Sequence, residues 1–210
     1  MNTVSVLEAT RHKGRVRIVL DQGTTLELTR HVADKLGIQP GKTLCLAEVE
    51  KLVNAERFQL ALDQALRFLG PRPRSEAEIR TRLRRNAVDD ETILQVIDEL
   101  RTRGLIDDLA FARFWCENRE SFKPAGRRLL RFELRQKGLQ ASTIAEVTEA
   151  VDEEECAYQA AVGRAARLSR QDYAAFRQDL GSFLKRRGFG YDLIKSTMDR
   201  VWREQDSAMR

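Results

Sequence analysis

Histidine is nearly missing from this chain: two stand among 210 residues, His12 and His31. Neither has a second His, a Cys or an acid at metal-ligand spacing, so no metal site is expected. Nor do they permit a Ser-His-Asp or Cys-His catalytic set. Cysteine is also sparse, and Cys45, Cys116 and Cys156 are odd in number and far apart. That suits free thiols in a reducing cytosol, not a disulfide frame or a zinc site. No apolar run reaches the ~18 residues that span a bilayer. Met1-Asn2-Thr3-Val4-Ser5-Val6 lacks the charged and then apolar regions of a signal peptide, so a cytoplasmic protein without membrane association is expected. Proline (4), glycine (12) and aromatics (7%) are too few for a many-turned all-β fold and favour helix. What is plentiful is charge, at 33% of residues against 42% hydrophobic, with a net charge of +5. The balance is that of a folded protein with a charge-rich surface, and its mild basic excess suits a polyanionic partner or an acidic protein surface.

The first part of the chain differs from the rest. Val4–Ala9 and Arg15–Leu20 are β-branched and alternating, and Thr24–Leu28 is a third short run. Asp21-Gln22-Gly23 reads as a hairpin turn, with Gly23 supplying the positive φ. A short helix over His31–Leu36 is expected to end at Gly37, Pro40-Gly41 makes a second break, and Thr43 opens a helical pattern through Leu46, Val49, Leu52 and Val53. Beyond it the pattern is helical throughout. Gln59–Leu69 is a helix stopped by Gly70-Pro71-Arg72-Pro73, and Ser75 to Glu78 is a capping box that starts the next. Asp89-Asp90 starts a helix with an apolar stripe of Ile93, Val96, Ile97 and Leu100, and Asp107-Asp108 starts another carrying Phe111, Phe114 and Trp115.

An internal repeat sets the architecture. Ile79, Leu83, Val88, Ile93 and Leu100 recur 51 residues later as Leu130, Leu134, Leu139, Ile144 and Val151 (130 − 79 = 51). They recur 50 residues further on as Leu180, Leu184, Phe189, Ile194 and Val201 (180 − 130 = 50). Between the second and third helix of each unit stand Ala87, Gly138 and Gly188, where a left-handed residue is needed. The predicted fold is mainly α: a tandem array of three three-helix repeats with a small β-rich N-terminal extension. The expected divisions are residues 1–50 for the extension and 51–106, 107–152 and 153–210 for the repeats. A single unit buries too little apolar surface to stand alone, so neighbours stack.

The chemical motifs are few. Gly41-Lys42-Thr43 resembles the end of a phosphate-binding P-loop, but Leu36 occupies the place of the first glycine and the segment follows a helix. A loop entering a capped helix is the better reading. Cys116 sits on an aromatic helix and is expected to be packed, and Asp107-Asp108 reads as a helix cap, not an acid–base pair. No catalytic set emerges, no cofactor is expected, and the chain is not read as an enzyme.

The basic clusters say more. Arg127, Arg131 and Arg135 are spaced i, i+4, i+8, with Arg128 and Lys137 beside them. Arg82, Arg84 and Arg85 occupy the matching place in the first repeat, and Lys185, Arg186 and Arg187 in the third. Cations at helix C-termini are favoured anyway, so a solvated face competes with a binding stripe. Their recurrence in register favours a surface for a partner or for DNA. Glu149–Glu155 is acidic, so the surface is polarised.

These residues bring a family into view. Gly104-Leu105-Ile106-Asp107-Asp108, Phe111-Ala112, Trp115 and Arg119 resemble the central signature of RecX proteins, as do Gly126, Leu130, Glu133-Leu134 and Lys137-Gly138. Phe183-Leu184 with Arg186-Arg187-Gly188-Phe189 is similar to the family's C-terminal pattern, and Ala65-Leu66, Leu69, Arg74-Ser75 and Glu78 to its first repeat. The resemblance spans about residues 57–204. Ala87 departs from it, standing where the first repeat usually has Gly, and the adjacent Asn86 is expected to take the left-handed conformation instead. The resemblance implies a regulator that binds the RecA–DNA filament. It would lie in the filament's helical groove across neighbouring protomers and suppress ATPase, strand exchange and coprotease activity. A monomer is expected. The alternative is a helical module that binds single- or double-stranded DNA with little sequence preference.

Overall fold

A computed structural model of the chain describes residues 2–9, 14–20, 23–168 and 172–208. It divides into two compact units, Met1–Arg72 with Ile79–Arg103, and Pro73–Glu78 with Gly104–Arg210.

The first unit opens with an antiparallel sheet of β1 (Asn2–Ala9), β2 (Arg15–Leu20), β3 (Thr25–Thr29) and β4 (Thr43–Leu44), in the order β3-β2-β1-β4. Alternation puts Val16, Ile18 and Leu20 on one face, and they bury with Val4, Leu28 and Leu44. Gly23 is at φ 77° as expected; its turn partners Asp21 and Gln22, like His12, lie outside the described residues. The short helix α1 (Arg30–Lys35) follows. Thr43 does not open a helix. It pairs with Thr3 while Leu44, 2% exposed, pairs with Asn2, and the next helix begins only after Cys45. There the Glu48 carboxylate accepts the Cys45 N–H at 2.7 Å, closing a capping box. From that cap α2 (Leu46–Leu69) runs unbroken across the whole stretch read from sequence as a β-rich cap's end and a separate helix. One carboxylate fastens it to the sheet: buried Glu56 accepts the Thr29 N–H at 2.7 Å and hydroxyl at 3.1 Å, and pairs with Arg15.

Nine helices carry the three repeats among the described residues: α2, α3 (Glu76–Arg85) and α4 (Asp90–Thr102); α5 (Asp108–Phe122), α6 (Arg127–Gln136) and α7 (Ala141–Glu149); α8 (Glu153–Ala165), α9 (Tyr173–Arg186) and α10 (Tyr191–Ala208). Their starts are written locally. Asp89, Asp107, Asp152 and Asp172 each accept a first-turn N–H, and Ser75 and Glu78 form the expected capping box. Their faces follow the repeat: of the fifteen aligned apolar positions only Val88 is not buried. In the second unit these residues join one core with Phe111, Phe176 and Ala161. Each buried Leu or Ile is worth about 1.5–3 kcal/mol.

The turn ending the second helix is the same in all three repeats. The amides of Val88, Leu139 and Phe189 donate to the carbonyls of Leu83, Leu134 and Leu184 at 3.2, 3.2 and 3.4 Å, the Schellman pattern. It needs a left-handed residue one position earlier, and Ala87 (φ 57°), Gly138 (79°) and Gly188 (85°) take that conformation. Asn86 therefore does not substitute for a missing glycine. The hydrogen-bond register puts position 87, whatever its side chain, at the reversal.

In the second unit two of these turns are covered. The Ser75 hydroxyl donates to the Lys137 carbonyl at 2.7 Å, and a Cβ on Gly138 would lie 2.3 Å from that of Ala77. One repeat further, the Gly126 N–H donates to the Arg187 carbonyl at 2.9 Å, and a Cβ on Gly188 would lie 2.6 Å from the Leu129 nitrogen. A helix-2 start thus rests on the next repeat's helix-2 end, twice. Ala87 is exposed and tolerates its methyl group.

Candidate partner-binding surface

The basic residues at the ends of the second helices fall into two sets. In the first unit, Arg84 pairs with Asp90 at 2.9 Å, Arg82 lies over the Phe68 ring at 5.8 Å, and Arg85 is exposed. In the second unit, Arg127 and Arg131 turn toward the end of α7. Arg127 donates to the carbonyls of Val151 (2.9 Å) and Glu149 (3.1 Å), and both guanidiniums meet the Glu149 carboxylate. Arg131 also donates to the Thr148 hydroxyl at 3.0 Å. These two arginines neutralise orphan carbonyls and a helix C-terminus.

Lys137 and Arg187, equivalent residues closing α6 and α9, are also turned inward. Lys137 pairs with Glu78 at 2.8 Å and lies 4.9 Å above the Trp115 ring. Arg187 lies over Phe183 at 5.1 Å and donates to the Pro124 carbonyl. Left facing solvent are Arg128 and Arg135 on α6 and Lys185 and Arg186 on α9, each exposed and without an ion pair among the described residues. Arg128 and Arg135 are seven apart and share a helix face with Phe132, which is 54% exposed between them. The spacing i, i+4, i+8 does not separate the free cations from the committed ones, because the partner Glu149 lies on another helix.

Sequence reasoning also missed the role of Glu133. It accepts both Arg119 Nε (2.9 Å) and Nη2 (2.6 Å), and the Trp115 indole N–H at 2.9 Å. Arg119 in turn lies 5.4 Å from the Trp115 ring. Trp115, Arg119, Glu133 and Lys137, all part of the resemblance, make one partly buried network that locks α5 to α6.

The other motifs also resolve into structure. The Lys42 ammonium of Gly41-Lys42-Thr43 donates to the carbonyls of Leu36 (2.7 Å) and Gly37 (3.2 Å), capping α1. Asp107 accepts the N–H groups of Leu109 and Ala110, and Asp108 accepts that of Glu76 at 2.9 Å. Cys116 and Cys156 are buried, and burial pushes their thiols up to about 12 and about 11. Among the described residues no group of three His, Cys, Asp or Glu side chains is placed to hold a metal, and no helix is long and apolar enough to cross a membrane.

The fold and surface define a class: tandem three-helix units presenting exposed cations at recurring stations. Two family models match it, the first three-helix domain of RecX over residues 61–100 and the second over residues 107–147. Regulatory protein RecX of Prosthecochloris aestuarii is 38% identical over 141 residues, covering 67% of this chain and 93% of that protein. Regulatory protein RecX of Listeria monocytogenes serotype 4a is 26% identical over 211 residues, 99% of this chain and 78% of that one. A crystal structure of regulatory protein RecX shares the fold with a TM-score of 0.72 at 24% identity, covering 95% of this chain and 100% of that one. A second, RecX from Lactobacillus salivarius, gives a TM-score of 0.61 at 21% identity over 70% of this chain and 97% of that one. The chain belongs to the RecX family.

Proposed function

We propose that this protein regulates recombination by binding the RecA–DNA filament and restraining RecA's ATPase, strand-exchange and coprotease activities. RecX membership supports the regulatory part. The observation that carries the binding surface is the set of unpaired cations, Arg128 and Arg135 on α6 and Lys185 and Arg186 on α9. Such a surface attracts a polyanionic or acidic assembly from a distance. It performs no chemistry, and the protein acts as a cytoplasmic monomer that is not an enzyme. Arg82, Arg84 and Arg85 form the corresponding station of the first repeat, while Arg127, Arg131, Lys137 and Arg187 hold the helices that present the rest.

The test is RecA's DNA-dependent ATPase titrated with this protein. Inhibition at stoichiometric amounts supports the reading, and an unchanged rate removes it. Direct DNA binding is the second reading, favoured by the unpaired guanidiniums flanking exposed Phe132. A protein using four cations on single strands shows an affinity slope of about −3 against salt on logarithmic axes. Absence of binding to single-stranded DNA at low salt removes that reading without touching the first.

A further inference from the structure

A groove in the second unit, of about 360 Å³, is built unlike the rest of the surface. Four cations line it: Lys123 after the end of α5, Arg164 and Arg167 at the end of α8, and Arg187 closing α9. No carboxylate lines it among the described residues. Arg164 and Arg187 lie over the same Phe183 ring, at 5.8 and 5.1 Å, so stacking holds both guanidiniums in place before anything binds. The Arg164 Nε is buried without a hydrogen-bond partner among the described residues, an N–H left to be satisfied. Phe122, 77% exposed, stands at the rim. Gly163 lies in the wall, inside helix α8, and a Cβ there would meet nothing within 4 Å. Glycine weakens a helix, and here no packing requires it. The groove wall is therefore open over bare backbone at this residue.

We propose that this groove binds the phosphate of a nucleotide unit, with the base against Phe122. Preset guanidinium forks match phosphate oxygens, an exposed phenyl ring offers a base its face, and the volume holds one unit. The unit is either a free nucleotide or one link of a single strand. The site is independent of the filament reading, since it involves none of Arg128, Arg135, Lys185 and Arg186.

The experiment measures binding of ATP, of a short oligothymidylate and of an oligoglutamate peptide to the full chain by calorimetry at low salt. Three variants accompany it: Arg164→Gln with Arg167→Gln, Phe122→Ala, and Gly163→Leu, which fills the groove with a good helix former. The expected result is binding of the oligothymidylate or of ATP, weakened at least about tenfold by the arginine pair and by Gly163→Leu, with unfolding temperatures unchanged. Binding of ATP identifies a free nucleotide as the source, and binding of the oligothymidylate alone identifies a strand; either supports the site when the groove variants weaken it, while strand binding that they leave unchanged belongs to the surface around Phe132. Failure of both probes to bind, equal binding by the folded variants, or preference for oligoglutamate with the same sensitivity overturns it. RecA inhibition by the Gly163→Leu protein tests the filament reading separately.

Discussion

Ala87, Gly138 and Gly188 share a left-handed backbone at different costs. At Gly138 and Gly188 a side chain would be strained by conformation, by about 1–2 kcal/mol, and would also collide with a neighbouring segment. Gly138→Ala and Gly188→Ala should each destabilise by roughly 2–4 kcal/mol, conformational strain and overpacking together. Ala87→Gly should instead be neutral or stabilising by up to about 1 kcal/mol, relief of strain offset by a freer unfolded chain. Urea denaturation of the three variants checks the ordering. The thiols offer a second test at this scale. Burial disfavours the thiolates of Cys116 and Cys156, whereas Cys45 is exposed. A thiol reagent at neutral pH should label Cys45 and leave the other two protected until the protein unfolds; mass spectrometry locates the adduct. Glu120 provides a third. Burial first, then Glu117 and Asp152, raise its carboxyl above the ordinary value. Its protonated form therefore favours the fold, a contribution present at acidic pH and lost as pH rises through the raised value. Glu120→Gln should raise the unfolding temperature at neutral pH and leave it unchanged below the usual carboxylate range.

Among the elements, the helices were the most legible part. Leu83, Leu134 and Leu184 mark equivalent places in three second helices, and a 3.6-residue period survives in sequence because each buries one face. Capping residues such as Ser75, Asp89 and Asp107 act within three residues and were legible for the same reason. Two features were not. Thr43–Leu44 is too short to show alternation, and its pairing with Asn2–Thr3 is a long-range event. The commitments of Arg127 and Arg131 depend on Glu149 and Val151, which helical spacing within α6 does not encode. The consequence is measurable. Arg127→Glu with Arg131→Glu should cost about 1–3 kcal/mol, because the hydrogen bonds to the Val151 and Glu149 carbonyls and to the Thr148 hydroxyl are lost and two new carboxylates face Glu149. Arg128→Glu with Arg135→Glu, on the exposed face of the same helix, should change stability by less than about 0.5 kcal/mol. Thermal unfolding of the two pairs distinguishes structural cations from available ones.

For the whole molecule, the repeats present the cations without an ion pair among the described residues, and these supply the proposed contact. The blocks that carry the resemblance in sequence, such as Gly104–Asp108 and Lys137-Gly138, fall in turns, caps and the Trp115–Glu133 network. The resemblance includes scaffold residues such as Trp115 and Glu133 and also the exposed Arg186, so the proposed partner surface is found by asking which charges the scaffold leaves over. The measurement that tests this most directly is RecA-promoted strand exchange with the unaltered protein and with the Arg128→Glu, Arg135→Glu, Lys185→Glu, Arg186→Glu variant, matched for folded content. Inhibition by the unaltered protein, lost by at least about tenfold in the variant, is the predicted result. Equal inhibition by both would contradict the assignment of those cations to the binding surface, and no inhibition by either would contradict the filament as the target.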